Sequence, residues 1–198
     1  MTDRSRARRT DAAANRARIL DAARSAFTEP DTEVSMAEIA RRSGIGSGTL
    51  YRNFATRREL LEALYLDEVD AICDAASAAA STNASTNAST NAAEPLLNWL
   101  HRFFEYVVSK RQVAVELLAH VDRSDAVFGT SRERVVAAGT PLLRAAQHAG
   151  HLQTDLSLDQ ILDLLVAIAK IPADEAYLKP IVDTALAGLR QTPAGGGT

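Results

Sequence analysis

The sequence predicts an all-α protein, and three observations support that prediction. Apolar residues recur at the three- and four-residue spacing of a buried helical stripe, as in the first strongly periodic segment at Ile19, Leu20, Ala23, Ala26 and Phe27. Hydrophobic residues make up 46% of the chain but aromatic residues only 5%, and alanine, the strongest helix former, supplies much of the difference. No stretch of useful length alternates apolar and polar residues as a β-strand does. We therefore expect about nine helices.

Composition excludes several classes of protein. A chain of 198 residues suits one or two domains, and no apolar run approaches the roughly 20 residues of a membrane span. The charged N-terminus lacks the apolar core of a signal peptide, and the single cysteine, Cys73, rules out an intrachain disulfide framework. These features predict a soluble cytoplasmic protein.

Charge is unevenly distributed along the chain. Residues 1–60 hold twelve arginines and eight acidic residues, a net charge of +4, whereas the remainder carries −7. The asymmetry favours a polyanion as partner of the first part, although two ordinary solvated surfaces would have the same composition.

The N-terminal elements follow from local signals. Residues 1–13 are polar and rich in arginine, which indicates a flexible arm, and a first helix is expected from Asn15 to Phe27. After the break at "TEPDTEVS", Ser35 and Glu38 have the spacing of a capping box that opens a second helix. Gly44 is expected to end that helix in a left-handed conformation.

Two further caps place the next helices. Ser47 is expected to cap a short third helix, "SGTLYRNF", and Thr56 a long fourth helix that runs to about residue 80. The segment "STNASTNASTNA" (81–92) then repeats one tetrapeptide three times, which indicates a low-complexity linker or a poorly ordered helix end.

Helical patterns resume after Glu94 and continue to a flexible tail at 191–198. Pro141 is expected to kink or delimit one of these helices, and the last helix is expected to begin near Pro180. The segment "SLDQILDLLVAIAK" is apolar on almost every side, so it should be buried on two sides, either by a partner or entirely inside its own domain.

The stretch "GIGSGTLYRNFATRR" (44–58) predicts a helix-turn-helix that reads DNA. Two helices joined by a tight glycine turn place the second one in the major groove, where arginine reads guanine and asparagine reads adenine. Hydroxyl and guanidinium groups near its ends suit phosphates. The candidate DNA-binding residues are Ser35, Ser47, Gly48, Thr49, Tyr51, Arg52, Asn53 and Arg57.

The string "SMAEIARRSGIGSGTLYRNFATRRELLEALY" resembles the DNA-binding region of TetR-family transcriptional repressors. The residues that match the family pattern are Ile39, Ala40, Gly44, Gly48, Thr49, Leu50, Tyr51, Phe54, Arg57 and Leu60. Asn53 stands where histidine is commonest, and Ser43 replaces a common alanine. The resemblance covers roughly residues 15–65; "AGHLQTDLSLDQILDLLVAIA" resembles a C-terminal passage of the family more weakly.

The resemblance implies a DNA-binding domain at 14–58 and a ligand-binding and dimerisation domain at 59–190. It implies a homodimer on a palindromic operator, formed by the last two helices, for which the candidate contacts are Ile161, Leu165, Ile168, Ile181 and Leu186. It also implies release from DNA by a small molecule, which would tilt the fourth helix and change the distance between the two heads. A DNA-binding protein without an effector is the alternative.

Aromatic and polar residues of the C-terminal part are candidates for an apolar effector pocket, although such a stripe more often forms core. They are Tyr65, Glu68, Ile72, Trp99, Phe103, Phe104, Tyr106, Leu117, His120 and Phe128. His148 and His151 have a spacing that metal ligands can share, but helix-end capping is the commoner reason, and we expect no metal or other cofactor. No nucleotide-binding loop, metalloprotease motif or nucleophile elbow is present in the sequence, so no enzymatic activity is expected.

Overall fold

The computed structural model describes residues 2–29, 34–85, 92–109, 113, 117 and 126–190. These residues form eight helices, close to the nine expected: α1 (Thr2–Thr28), α2 (Met36–Ser43), α3 (Ser47–Asn53), α4 (Arg57–Ser85), α5 (Glu94–Ser109), α6 (Ala126–His148), α7 (Leu158–Ala169) and α8 (Glu175–Ala187). No strand is present among the described residues, which confirms the all-α prediction. None of the described helices is long and apolar enough to span a membrane.

The chain divides into two compact units. The first unit comprises residues 1–67 and 110–125, and the second comprises residues 68–109 and 126–198. In the first unit, α1 packs against α2 and α3. Fully buried large side chains of this unit come from α1, α2, α3, the residue after α3 and the start of α4: Ile19, Ile39, Leu50, Phe54, Leu60, Leu61 and Leu64. The functional boundaries at 58 and 190 inferred from the sequence stay a prediction.

Helix α1 begins far earlier than the sequence analysis expected. It starts at Thr2 rather than Asn15, so the segment 1–13, interpreted as an arm, is helical from Thr2 onward. The physical reason is composition, because residues 2–14 contain neither glycine nor proline and are rich in alanine and arginine, two strong helix formers.

The turn between α2 and α3 has the backbone that its sequence predicts. The Ser35 hydroxyl accepts a hydrogen bond from the Glu38 amide at 3.1 Å, and Gly44 has φ +64°, the left-handed conformation expected of it. Ser47, by contrast, is the first residue of α3 rather than its cap, because Gly46 occupies the cap position and has no side chain to bond. Thr56 caps α4, where its hydroxyl accepts from the Glu59 amide at 3.1 Å.

Helix α4 runs from Arg57 to Ser85 and therefore includes the first five residues of the tetrapeptide repeat. The hydroxyls of Ser81 and Thr82 donate to carbonyls one turn earlier, at 2.9 and 3.0 Å, which is how these residues are accommodated in a helix. Residues 86–91 of the repeat lie outside the described residues, as does the predicted tail at 191–198.

The second unit is built around α5, which contacts α6, α7 and α8. Trp99 is 1% exposed, and its indole Nε1 donates to the Ile72 carbonyl of α4 at 3.0 Å. His101 links α5 to α8, since its Nε2 lies 2.9 Å from the Asp183 carboxylate. Lys179 and then His101 lower the pKa of Asp183.

Two expectations about helix ends at proline need correction, whereas a kink at Pro141 stays a prediction. Pro141 lies inside α6 and does not end that helix. The last helix begins at Glu175 rather than near Pro180, because the Asp174 carboxylate accepts from the Tyr177 amide at 2.9 Å and caps it. The preceding helix α7 begins with a complete capping box at Ser157 and Gln160.

Candidate nucleic-acid interface and ligand cavity

Helix α3 presents one exposed face and buries the other. Leu50 is fully buried, and Phe54, directly after the helix, is 1% exposed. Ser47, Gly48, Tyr51 and Arg52 are exposed, and their positions at i, i+1, i+4 and i+5 place them together on the opposite face. Tyr51 is 52% exposed, one of the few large hydrophobic side chains among the described residues that are so accessible. This α3 face, defined by these four residues, is the candidate interface.

Hydrogen bonds orient the polar side chains of α3 along the helix. The Arg52 guanidinium donates to the Gly48 carbonyl at 3.0 Å and to the Thr49 hydroxyl at 2.8 Å. The half-buried Asn53 donates its amide nitrogen to the Thr49 carbonyl at 2.8 Å. Four of the predicted DNA-binding residues, Ser47, Gly48, Tyr51 and Arg52, thus share one surface, and Thr49 and Asn53 flank it.

Arg57 and Ser35 have partners inside the first unit. The Arg57 guanidinium donates to the Val34 carbonyl and lies 5.4 Å from the centroid of the Phe27 ring, a cation–π distance. The Ser35 oxygen is engaged at the start of α2. Sequence reasoning assigned both residues to DNA, and that role stays a prediction, whereas the structure gives both a role in holding α2 and α4 in place.

An ionic cluster that the sequence analysis did not identify joins α2 to the end of α1. Arg42 donates to Glu29 at 2.5 Å and to Glu38 at 2.6 Å, and Arg41 also bonds Glu38, at 2.7 Å. The hydrogen bonds from Arg41 and Arg42 lower the pKa of Glu38 to about 2. The four-residue spacing of Glu38 and Arg42 was visible in the sequence, but Glu29 lies 13 residues before Arg42, a separation that no local helical pattern spans.

Two more arginines of α1 support the turn and the end of α3. Arg18 donates to the Ser43 carbonyl at 2.8 Å, directly before Gly44. The Arg16 guanidinium lies 4.5 Å from the centroid of the Phe54 ring. Much of the positive charge that suggested a polyanion partner is therefore used to build the first unit.

The second unit contains a cavity of about 460 Å³ between α4, α5 and the start of α8. Of the predicted pocket residues, Ile72, Phe104 and Tyr106 line it. Trp99 and Phe103 are buried in the core instead, and Leu117 is buried in the first unit. Tyr65, Glu68 and Phe128 do not line this cavity, and His120 lies outside the described residues. The lining residues that sequence reasoning missed are Arg102, Glu105, Val108, Ser109 and Glu175.

Most of the predicted dimer contacts are core residues of the second unit. Ile161, Leu165, Ile168 and Leu186 are between 0% and 7% exposed within the single chain, so they pack inside it, and only Ile181 is partly accessible. The reason is that α7 also carries exposed positions, so its apolar residues do not all need a partner. The large apolar side chains exposed on α7 and α8 are Leu164, at 42%, and Tyr177, at 61%.

The histidine pair near the end of α6 has a structural contact. His151 Nδ1 accepts from the Ala92 amide at 3.0 Å, which ties the segment before α5 to the turn after α6. Across the described ranges, no group of three or more His, Cys, Asp or Glu side chains is placed to hold a metal ion.

Comparison with known proteins matches both units. A family model described as bacterial regulatory proteins of the tetR family matches residues 19–64, and one described as the C-terminal domain of SbtR-like transcriptional regulators matches residues 91–191. The crystal structure of the TetR transcriptional regulator SCO0520 from Streptomyces coelicolor is 35% identical, covers 90% of this chain and 99% of its own, and has a TM-score of 0.72.

Two further relatives of this chain are also transcriptional regulators. A TetR transcription regulatory protein from Mycobacterium vanbaalenii is 30% identical, covers 92% of this chain and 99% of its own, and has a TM-score of 0.71. The HTH-type transcriptional regulator UidR of Escherichia coli K12 is 25% identical over 152 residues, which are 75% of this chain and 74% of that one. The first family match contains the α3 face, and the second contains α5 and α8.

Proposed function

Because the chain belongs to the TetR family of DNA-binding transcriptional regulators, which are not enzymes, we propose that it is a repressor that binds a palindromic operator as a homodimer and is released by a small molecule. The observation that carries this proposal is the α3 face. A short helix that exposes Tyr51 and Arg52 on one side and buries Leu50 on the other has the form of an element that enters a major groove. Because its proposed partner is DNA, we propose that the protein acts in the bacterial cytoplasm.

The chemistry of the α3 face supports base and backbone contacts together. Arg52 exchanges its bonds to Gly48 and Thr49 for a guanine edge, and Tyr51 reaches a phosphate or a thymine methyl. Ser47 and Gly48 are exposed at the start of α3, and a side chain added at Gly48 would meet no other atom within 4 Å, so a DNA backbone can approach closely there. Arg57 acts indirectly, since its bond to Val34 holds the start of α4 beside α2.

A dimer supplies two such faces, and a palindrome supplies two half-sites about 34–36 Å apart. We assign the dimer contact to the exposed surface of α7 and α8, which contains Leu164, Tyr177 and the partly accessible Ile181. Exposed large apolar side chains on neighbouring helices are a common feature of surfaces that associate. The buried residues Leu165 and Leu186 support this surface from below.

The proposed effector occupies the cavity of the second unit. Its volume of about 460 Å³ lies in the range of small-molecule sites. Ile72 belongs to α4, the helix whose residues 57–67 are counted in the first unit and 68–85 in the second. A ligand that displaces Ile72 acts on this helix, and by linkage DNA must weaken the ligand by the same factor as the ligand weakens DNA.

A selection experiment tests the proposal. The purified chain is mixed with a pool of random duplexes, and the bound fraction is sequenced and titrated. We expect enrichment of one inverted repeat, bound by two chains. Enrichment of a single unrepeated half-site would contradict the dimeric operator, and no enrichment at all would contradict sequence-specific binding. A protein that selects an operator but keeps it with every ligand tested would be a constitutive DNA-binding protein.

A further inference from the structure

The cavity of the second unit has one apolar wall and one charged wall. Ile72, Phe104 and Val108 form the apolar wall, and the first two are only 6% and 4% exposed. The charged wall comes from one face of α5, because Arg102, Glu105, Tyr106 and Ser109 follow the i, i+3, i+4, i+7 spacing. Glu175, the first residue of α8, completes that wall from a second helix.

The three charged side chains that line this cavity are exposed and lie outside the ion pairs of the second unit. In the described part of the second unit, Asp70, Glu94 and Asp183 each form an ion pair, with Arg134, Arg190 and Lys179. The side chains of Arg102, Glu105 and Glu175 form no ion pair or hydrogen bond with any described residue. Their charges are therefore available to a ligand without breaking an internal contact.

We propose that this cavity binds a hydrophobic organic monocation, an amine or ammonium group attached to an apolar body; this rests on the proposed function, whose effector it describes. Among the described residues that line the cavity, two carboxylates and one guanidinium give a net charge of −1, which one positive charge on the ligand balances. The Tyr106 ring adds an aromatic face of the kind that attracts cations. Ile72, Phe104 and Val108 take the apolar body.

The charges that line the cavity also predict which ligands bind more weakly. An anion of the same shape gains Arg102 but is repelled by Glu105 and Glu175, and a neutral isostere gains no charge attraction, because the three exposed side chains stay hydrated. A dication meets the Arg102 guanidinium with its second charge. The predicted order of affinity is therefore monocation, then neutral molecule, then anion.

A matched series of three probes tests this order on the full chain. 4-Phenylbutylamine, 4-phenylbutanol and 4-phenylbutyrate share one apolar body and differ in charge, and isothermal titration calorimetry at pH 7 gives each Kd. We expect the amine to bind about tenfold more tightly than the alcohol, with the butyrate weakest. Equal affinities, tightest binding by the butyrate, or no saturable binding by any probe would overturn the proposal.

Variants localise the binding. Glu105→Gln with Glu175→Gln should weaken the amine about tenfold and leave the alcohol unchanged, which removes the preference for the cation. Glu133→Gln is the control, because Glu133 is an exposed glutamate of α6 outside the cavity wall that makes no ion pair with a described residue. A preference for the amine that survives the double variant would place the cation elsewhere and overturn the assignment.

The same preparations separate this inference from the proposed function. Operator binding by the chain without any probe reports on DNA recognition alone. If the chain binds its operator but binds the amine, the alcohol and the butyrate with equal affinity, only the inference about the ligand is overturned. If the chain binds the amine preferentially but binds no DNA, only the proposed function is overturned.

Discussion

Gly139 of α6 lies directly against the ring of Trp99 on α5. A Cβ added at Gly139 would lie 2.5 Å from the Cη2 atom of Trp99 and 2.9 Å from a methyl carbon of Leu158. No carbon atoms pack at such distances, so glycine at this position sets how closely α5 and α6 approach. Because Trp99 is 1% exposed and bonded to the Ile72 carbonyl, its ring has little room to move away.

Replacement of this glycine should therefore destabilise the second unit. Gly139→Ala adds a methyl group to a filled space, which costs about 1–3 kcal/mol and exceeds the roughly 1 kcal/mol that alanine gains as a helix former. Thermal unfolding followed by circular dichroism measures the effect. Gly129→Ala on the same helix is the control: its new methyl meets no atom within 4 Å, so it should raise the melting temperature. A Gly139→Ala protein as stable as Gly129→Ala would refute the packing account.

Acid should weaken the cluster of Glu38, Arg41 and Arg42. The pKa of Glu38 falls from 4.5 to about 2 in the folded chain, so its contribution to the free energy of unfolding is complete above pH 4.5 and is lost as the pH falls towards 2. Urea unfolding of wild type and Glu38→Gln between pH 7 and pH 2 measures this. The wild type should be more stable at neutral pH, and the two curves should converge below pH 4.5. A stability difference that is independent of pH would contradict the ion pairs.

Arg57 is expected to act through the first unit rather than through a phosphate. Arg57→Met removes a charged hydrogen bond to Val34 and a cation–π contact with Phe27, so the free energy of unfolding should fall by about 1–3 kcal/mol. The salt dependence of DNA binding supplies the second readout. We expect an unchanged slope of log affinity against log salt, whereas a slope reduced by about 0.9 per head would assign Arg57 to a phosphate.

The proposed dimer surface can be tested with one charge at a time. Leu164→Glu and Tyr177→Glu each place a carboxylate in the exposed patch of α7 and α8, and each should shift the protein from dimer to monomer in sedimentation velocity at micromolar concentration. Leu66→Glu is the matched control, since Leu66 is a 36% exposed leucine of α4 and belongs to neither α7 nor α8. A wild-type monomer, or variants that all remain dimeric, would argue against this surface.

Local signals in the sequence predicted two helix caps and the glycine turn of the first unit, but not the start of α1. Gly44 adopts its left-handed conformation and Ser35 and Thr56 cap their helices, because each feature depends on a few adjacent residues. The exposed and buried positions of α3 follow helical periodicity around Leu50, whereas the assignment of its exposed face to DNA stays a prediction.

Long-range packing accounts for what the sequence analysis missed. The apolar residues of α7 are numerous enough to suggest a partner, yet Ile161, Leu165 and Ile168 are buried within the chain. Which face of such a helix is covered depends on the neighbouring helices, and no local pattern records that. The same holds for the cavity, whose Glu175 belongs to a helix that the sequence analysis started five residues too late.

The most direct test of the central claim, that the α3 face reads bases, is the affinity ratio between the selected operator and a scrambled duplex for Arg52→Gln. Fluorescence anisotropy at fixed salt gives both affinities. Loss of one guanine contact costs about 1–3 kcal/mol, so the ratio should fall by about fivefold to 150-fold per head, mainly through weaker operator binding. Arg144→Gln, an exposed arginine of α6 in the second unit, removes the same charge and should leave the ratio unchanged. An Arg52→Gln protein with the wild-type ratio would contradict the claim.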